Sequence, residues 1–352
     1  MSDEIYSRLA DALDRLPNGF PRTESNVELR ILRIIYSPEE AELAIQLTGT
    51  FESIDQISAR AGRPADEVSK QIFKMARKGQ TWLDKKDGKV LFRLAPFVVG
   101  VYEASLHLMD HDLAHLTEEY FNNGGVKGIM GVEPALHRVV PAQASVKTEQ
   151  ILPYDDVRAI LLKSKTFNVR DCICRVMKDE IGEPCEYPTH VCLNFSESER
   201  ATSKEGDISQ AEALALLDEV EEVGLVHTVN NVMKGVGYVC NCCGCCCGIL
   251  RGITDFGLEN SVANANYFAV IDPLTCNNCG TCIERCHVNA ISEGDGYSVV
   301  DLERCIGCGL CVTGCPNDVA VMERRPEAEI INPPADYAEW EHDRMHTRGL
   351  DH

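Results

Sequence analysis

The sequence predicts an α+β chain of several domains, on three observations. Its 352 residues exceed the usual length of one folding unit. Apolar residues make up 44% of it, enough for real cores, yet no run approaches the roughly 18 apolar residues that span a bilayer. All 18 cysteines lie beyond residue 171, crowded into C-x2-C arms and adjacent pairs, which points to metal rather than disulfides in so long a chain.

Residues 1–95 are expected to form a winged-helix-like domain. Val27 to Ile35 reads as a helix, and Glu39 to Leu47 as a second after Pro38. Ile54 to Ala61 is a third that stops at Gly62, and Pro64 to Lys78 a fourth, with Pro64 suited to a first turn and Gly79 to a C-terminal cap. Val68, Ile72 and Met75 give the last helix an apolar stripe. Thr81-Trp-Leu, a turn at Asp87-Gly88 and Lys89 to Arg93 complete a β-hairpin, the wing. Lys70, Lys74, Arg77 and Lys78 on the helix, with Lys85, Lys86 and Lys89 on the wing, allow DNA binding. The whole-chain charge of −21 argues against it and favours docking or dimerisation.

Residues 96–153 are expected to be a helical linker region. Pro96 to Phe121 reads as one longer helix that sets His107, His111 and His115 on one face, more in keeping with a helix–helix contact than with metal. Gly124-Gly-Val-Lys-Gly-Ile-Met-Gly lacks the ending of a phosphate loop and reads as a flexible loop or a close backbone approach. From Pro134 to Pro153 the chain is expected to cross, extended, into the next domain.

Residues 154–262 are expected to be a central cysteine-rich α/β domain. Cys172, Cys174, Cys185 and Cys192 form one group in sequence, and Cys240, Cys242, Cys243, Cys245, Cys246 and Cys247 another. Between them a helix near Ser209 to Val223 carries a capping box, Ser209 with Glu212, and ends at Gly224. Leu225 to Val229 and Val236 to Val239 read as short strands. Cys240, Cys243 and Cys246 repeat a C-x2-C-x2-C step, and Cys242 and Cys245 share that spacing. Six thiols in eight residues call for metal; zinc suits four thiolates as iron does. One or two further iron–sulfur clusters are expected here, either one per group or both groups converging on one larger centre. His227, Asn230 and Asn241 lie close enough in sequence to tune such a centre or to satisfy backbone.

Residues 263–325 hold two copies of C-x2-C-x2-C-x3-C, offset by 29 residues: Cys276, Cys279, Cys282 and Cys286, then Cys305, Cys308, Cys311 and Cys315. Val270 matches Val299 and Asp272 matches Asp301. Three thiolates on one tight loop wrap one face of a cubic iron–sulfur cluster, and the fourth arrives from the other copy. Two [4Fe–4S] clusters are the expected cofactors.

From about Tyr267 to Glu323 the chain resembles bacterial-type ferredoxins with two [4Fe–4S] clusters, on those eight cysteines and on Cys315-Pro316. The resemblance implies a dicluster ferredoxin fold, with one cluster on Cys276, Cys279, Cys282 and Cys315 and the other on Cys286, Cys305, Cys308 and Cys311. His287 departs from the family, which has proline there. The last 200 residues or so also look like large ferredoxin-domain proteins of anaerobic bacteria and archaea, which join Cys-x-Cys-Arg and Cys-Asn-Cys-Cys-x-Cys-Cys-Cys segments to such a domain. That resemblance implies an accessory redox role and names no reaction.

Residues 1–100 are neutral, with 15 basic and 15 acidic side chains; the remaining 19 basic and 40 acidic residues supply the entire negative charge. An acidic redox half steers towards a basic partner face and repels nucleic acid. The expected function is relay of low-potential electrons to or from a partner redox protein or oxidoreductase complex, in a reducing, anaerobic cytoplasm, with no membrane insertion. An oligomer through the N-terminal domain is compatible with this. Two alternatives stand beside it: a reductase with an unusual iron–sulfur centre at 172–247, and an iron–sulfur redox sensor acting on transcription through the winged helix. The tail, residues 326–352, is expected to carry a short helix at Tyr337 to Arg344 around Trp340.

Overall fold

The computed structural model describes residues 2–200 and 202–350. The chain divides into two compact units: Met1–Val132 with Val176–Pro184 and Arg344–His352, and Glu133–Arg175 with Cys185–Asp343. No helix among the described residues is long and apolar enough to cross a membrane.

The first unit opens with α1 (Ser2–Asp14), a helix absent from the sequence expectations, which buries Tyr6, Leu9 and Leu13 on one side. There follow α2 (Val27–Ile35), α3 (Pro38–Ala44), α4 (Ile54–Ala61) and α5 (Ala65–Arg77). Capping boxes start α3, from Ser37 and Glu40, and α4, from Ser53 and Gln56; Gly62 ends α4 in the left-handed conformation. Helix α5 buries Val68, Ile72 and Met75. Strands β1 (Thr81–Lys86) and β2 (Lys89–Leu94) pair around Asp87 and Gly88, both at positive φ, as a tight two-residue turn requires.

The stretch 96–121 is not the single helix expected. The backbone is non-helical at Val98 to Gly100, makes one turn as α6 (Tyr102–Ala104) and a tighter one at Ser105–Leu108. It then restarts as α7 (His111–Tyr120), where the Asp110 carboxylate accepts the Leu113 N–H at 3.0 Å. That cap puts His107 on a different turn, so only His111 and His115 remain adjacent, with ring centroids 4.4 Å apart. The glycine-rich segment contains a short helix, α8 (Val126–Met130), and Gly128 lies so near Pro21 that a Cβ would come within 2.4 Å of its ring.

The second unit is built on a six-stranded antiparallel sheet, in spatial order β3 (His137–Val140), β7 (Val226–Asn230), β8 (Tyr238–Cys242), β5 (His190–Ser196), β4 (Thr166–Asp171) and β6 (Asp207–Ile208). Its edge strand β3 (His137–Val140) lies in the segment expected to be an extended crossing: the run of buried residues there pairs with the sheet instead. Ala263 exchanges backbone bonds of 2.9 Å with His137 and Val139, covering the outer side of β3. Next come α9 (Val157–Lys163), β4 (Thr166–Asp171), α10 (Ile173–Glu180), β5 (His190–Ser196) and the two-residue edge strand β6 (Asp207–Ile208). Helix α11 (Gln210–Val223) has the expected capping box and a left-handed Gly224, and β7 (Val226–Asn230), β8 (Tyr238–Cys242) and α12 (Gly248–Thr254) follow.

Strand alternation sorts the sheet into two faces. Helices α9 and α11 cover one, packing Leu161, Ala213 and Leu217 against Phe167, Val169, Leu193, Phe195, Val229 and Val239. Cys192 on β5, Cys240 and Cys242 on β8 and Thr228 on β7 therefore lie on the opposite face. His137 shares that face; its ring nitrogens meet the Thr228 hydroxyl at 3.1 Å and the Tyr238 hydroxyl at 2.8 Å. Burial pushes its pKa down to about 3. The unfolded chain takes up this proton near the ordinary histidine value and the folded chain does not. Stability is thus expected to be intact above about pH 6.5 and to drain away as pH falls towards 3, an effect His137→Gln should flatten in denaturation curves taken across that range.

The unit continues through β9 (Tyr267–Ile271), α13 (Thr281–Glu284), β10 (Ile291–Glu293), β11 (Ser298–Val300), α14 (Leu310–Thr313) and β12 (Ala320–Arg324). Strands β9 and β12 pair antiparallel, as do β10 and β11. Helix α15 (Tyr337–Thr347) spans the expected tail helix; its buried Trp340 donates from the indole N–H to the Ala135 carbonyl at 2.9 Å.

Candidate functional site

The 29-residue repeat is also a repeat of backbone shape. Asn278 and Gly307, Gly280 and Gly309, and Asn289 and Asp318 are each related by that offset, and all six have positive φ. Gly280 and Gly309 immediately precede the one-turn helices α13 and α14. The matched aspartates make equivalent bonds, for Asp272 accepts the Leu274 N–H at 2.9 Å and Asp301 accepts the Glu303 N–H at 3.0 Å. Each arm is thereby bent into a loop that turns its cysteines inward.

The loops gather the cysteines across the repeat. A small pocket is lined by Cys276, Cys279, Cys282 and Cys315 together with Pro316. Cys279 is exposed at its mouth, where hydrogen bonds from Thr281 lower the thiol pKa. Cys286, Cys305, Cys308 and Cys311 are mutual electrostatic neighbours in a second, more enclosed group. Burial raises Cys311 and pushes Cys308 up to about 12, so these thiols need a cation to hold them as thiolates. Backbone N–H groups reach sulfur in both groups, Asn278 to Cys276 at 3.4 Å and Ala290 to Cys286 at 3.2 Å. Donors of this kind stabilise the added negative charge of a reduced cluster. A divided donor set, three thiols from one arm and one from the other, fits two iron–sulfur cubanes.

The ten central cysteines sort differently from their order in sequence. Cys185, Cys243, Cys245 and Cys246 bring their Sγ atoms within 4.8 Å of one another. Cys185 thus leaves the upstream group, and Cys240 leaves the C-x2-C-x2-C step it shares with Cys243 and Cys246. The reason is the end of β8 at Cys242. Cys240 and Cys242 are fixed on one face of the strand, while the residues beyond it turn away as a loop. The hydrogen bond with Cys246, opposed by burial and helped by the Arg175 charge, pulls Cys243 down to about 4. A thiol so disposed is a ready metal ligand.

Two basic side chains frame this loop. Arg175, the residue after Cys-Ile-Cys, is 3% exposed and donates to the carbonyls of Pro188 and Asn241 at 3.0 and 2.9 Å. Burial alone would lower its pKa, but the thiols of Cys172, Cys243 and Cys242 around it raise it. His287 donates from Nε2 to the Gly224 carbonyl at 2.6 Å and accepts the Gly244 N–H on Nδ1 at 3.1 Å. It therefore ties the residue after Cys286 to the glycine between Cys243 and Cys245. Gly244 sits so close that a Cβ would come within 2.5 Å of the His287 carbonyl oxygen. Proline at 287 offers neither ring nitrogen, which explains the departure at that position. Neighbouring Arg285 donates to the carbonyls of Glu221 and Glu222 at the end of α11.

His227 and Asn241 point to the helix-covered face. His227 pairs with the Asn241 amide oxygen at 2.7 Å and with Glu221 at 3.2 Å, and Asn241 donates to the Val191 carbonyl. These are contacts that brace strands; neither residue contacts sulfur through them. Asn230 ends β7 opposite His137. The sulfur-facing polar groups are instead Thr228, 3.5 Å from Cys242, and Asn194, 3.9 Å from Cys192. Alternation along β5 and β7 carries that signal in the sequence.

Residues 275–321 match a family model described as a 4Fe-4S dicluster domain. No curated protein and no solved structure matches the chain. With the cysteine geometry, the match makes the C-terminal part an iron–sulfur, ferredoxin-like domain.

Proposed function

We propose that this chain relays single low-potential electrons between a partner redox protein and a metal centre of its own central domain. One observation carries the reading: the His287 link between the Cys286 arm and the Cys243–Cys245 loop. Electrons enter at the cluster held by Cys276, Cys279, Cys282 and Cys315, whose Cys279 and neighbouring Leu274, 92% exposed, offer a docking face. They pass to the enclosed cluster on Cys286, Cys305, Cys308 and Cys311. From there Cys286, His287 and Gly244 lead to a further iron–sulfur cluster on Cys185, Cys243, Cys245 and Cys246. The clusters supply the redox chemistry; the protein supplies thiolates, N–H donors and burial.

The helix–hairpin element of 27–94 serves as a platform for the partner oxidoreductase. Its would-be recognition helix is partly engaged within the chain, with Lys78 on Glu40 at 2.6 Å and Lys70 on Asp66 at 3.8 Å, which favours docking over DNA.

A second reading of the four-thiol site has its own support. Zn–S bonds of about 2.3 Å set tetrahedral sulfurs roughly 3.8 Å apart; the four Sγ atoms lie within 4.8 Å of one another, Cys245 and Cys246 at 3.7 Å, so a structural zinc fits there too. The test is an oxygen-free preparation of the full chain, assayed for iron, sulfide and zinc and titrated with a one-electron donor. At least about twelve irons and stepwise one-electron reduction are expected. Zinc at the four-thiol site would end the relay at the dicluster domain. A spectral change on adding a small substrate would favour the reductase alternative.

A further inference from the structure

Six cysteines remain outside these three groups, and they do not scatter. Cys172 hydrogen-bonds Cys174, Cys174 reaches Cys247, Cys247 reaches Cys242, and Cys242 reaches Cys240, which reaches Cys192. Sheet register gives the same grouping independently. Leu193 pairs with Val239 and Asn194 with Tyr238; continuing that register one step sets Cys192 opposite Cys240. Thr228 pairs with Cys240 and Val226 with Cys242 on the other side. The six thiols thus come from the sheet face away from α9 and α11 (Cys192, Cys240, Cys242), from the start of α10 (Cys172, Cys174) and from the cap of α12 (Cys247).

We propose that Cys172, Cys174, Cys192, Cys240, Cys242 and Cys247 ligate a polynuclear iron–sulfur centre, distinct from the four-thiol site although Cys172 and Cys174 pack close to it. Six thiols exceed the four ligands of one zinc ion or one cubane, so more than one metal atom, or bridging thiolates, must share them. Arg175 is the second observation that points to an anionic ligand. Its guanidinium is buried, lies in the field of Cys172, Cys243 and Cys242 with a hydrogen bond to Cys243, and its Nε–H has no hydrogen-bond partner. A buried N–H left unmatched is costly, and an inorganic sulfide is an acceptor for it. None of the six cysteines is exposed, whereas Cys245 and Cys279 of the other groups are. With no exposed thiol, its place in the relay, which rests on the reading above, is the inner terminus where electrons are held. Its existence does not rest on that reading.

The test uses the full chain, made and kept without oxygen, with iron, sulfide and zinc assays and electron paramagnetic resonance. Cys192→Ser with Cys240→Ser, and Cys174→Ser with Cys247→Ser, each remove two thiols, from opposite halves of the thiol chain. Both pairs are expected to lose the same increment of iron and sulfide and the same resonance, with the dicluster signals retained. Cys243→Ser with Cys246→Ser should lose a different increment. If neither of the first two pairs loses iron, if they lose zinc instead, or if all three pairs lose one common increment, the separate centre is overturned. For a pair that does not fold, alkylation of the unmodified chain decides. Half-buried Cys172, Cys174, Cys192 and Cys240 should react only after iron is chelated, and ready reaction beforehand overturns the proposal. A chain that holds the extra iron but exchanges no electrons with any donor would sink the relay and leave this centre standing.

Discussion

Replacing Arg175 with methionine is expected to destabilise the folded chain by about 3–5 kcal/mol, the usual cost of breaking a buried charge arrangement, and to lower the reduction potential of the central centres. Both effects have one origin. The guanidinium is a buried cation among thiols of two groups, and thiolate-bound metal sulfide becomes more negative on reduction. Without the cation, each added electron enters a less favourable field. The fork also joins the Pro188 carbonyl to that of Asn241, so the Cys185 loop and strand β8 lose a common anchor. Arg175→Lys should restore part of the potential and little of the stability, since an ammonium keeps the charge but not the fork. Denaturant midpoints and potentiometric titration read the two separately. A methionine variant with unaltered potentials would show that no redox centre lies beside residue 175.

His287→Ala is expected to leave the dicluster domain loaded with iron while slowing its electron exchange with the central domain. The imidazole reaches Gly244, 43 residues away in sequence, and Gly224, 63 residues away. Losing those bonds strands an N–H and a carbonyl at about 1–3 kcal/mol each. Burial holds the His287 pKa below its ordinary value, so the neutral ring keeps Nδ1 as an acceptor. His287→Pro removes the same bonds while restoring the residue usual in dicluster ferredoxins, and should behave alike. Freeze-quenched resonance spectra after partial reduction would show electrons lingering on the ferredoxin clusters. Unchanged exchange kinetics in both variants would rule out this route.

The C-terminal motif was legible because its chemistry is local: three thiols per loop, a fourth at fixed spacing, and one aspartate to start each turn. Helices with strong caps, such as α4 and α11, were legible for the same reason. What escaped was set at a distance. The break at Asp110 competes with a periodicity that by itself reads as continuous helix, and β3 shows no clear alternation because its residues are buried on both faces. The partition of the ten central cysteines depends on where β8 ends and on which strands flank it. Spacing along the chain places Cys240 with Cys243 and Cys246; the pleat of the sheet places it with Cys192 and Cys242. Arg175 stands directly after Cys-Ile-Cys, but nothing in the sequence says that its charge is buried.

The two margins of the six-stranded sheet bear on the life of the chain before its inorganic cargo is installed. One margin is a strand of only two residues opening on Asp207, and the other is closed by Ala263. Neither presents a long row of open amides on which another copy can build. This sheet therefore gives an iron-free chain no long edge to which a neighbour's strand can add.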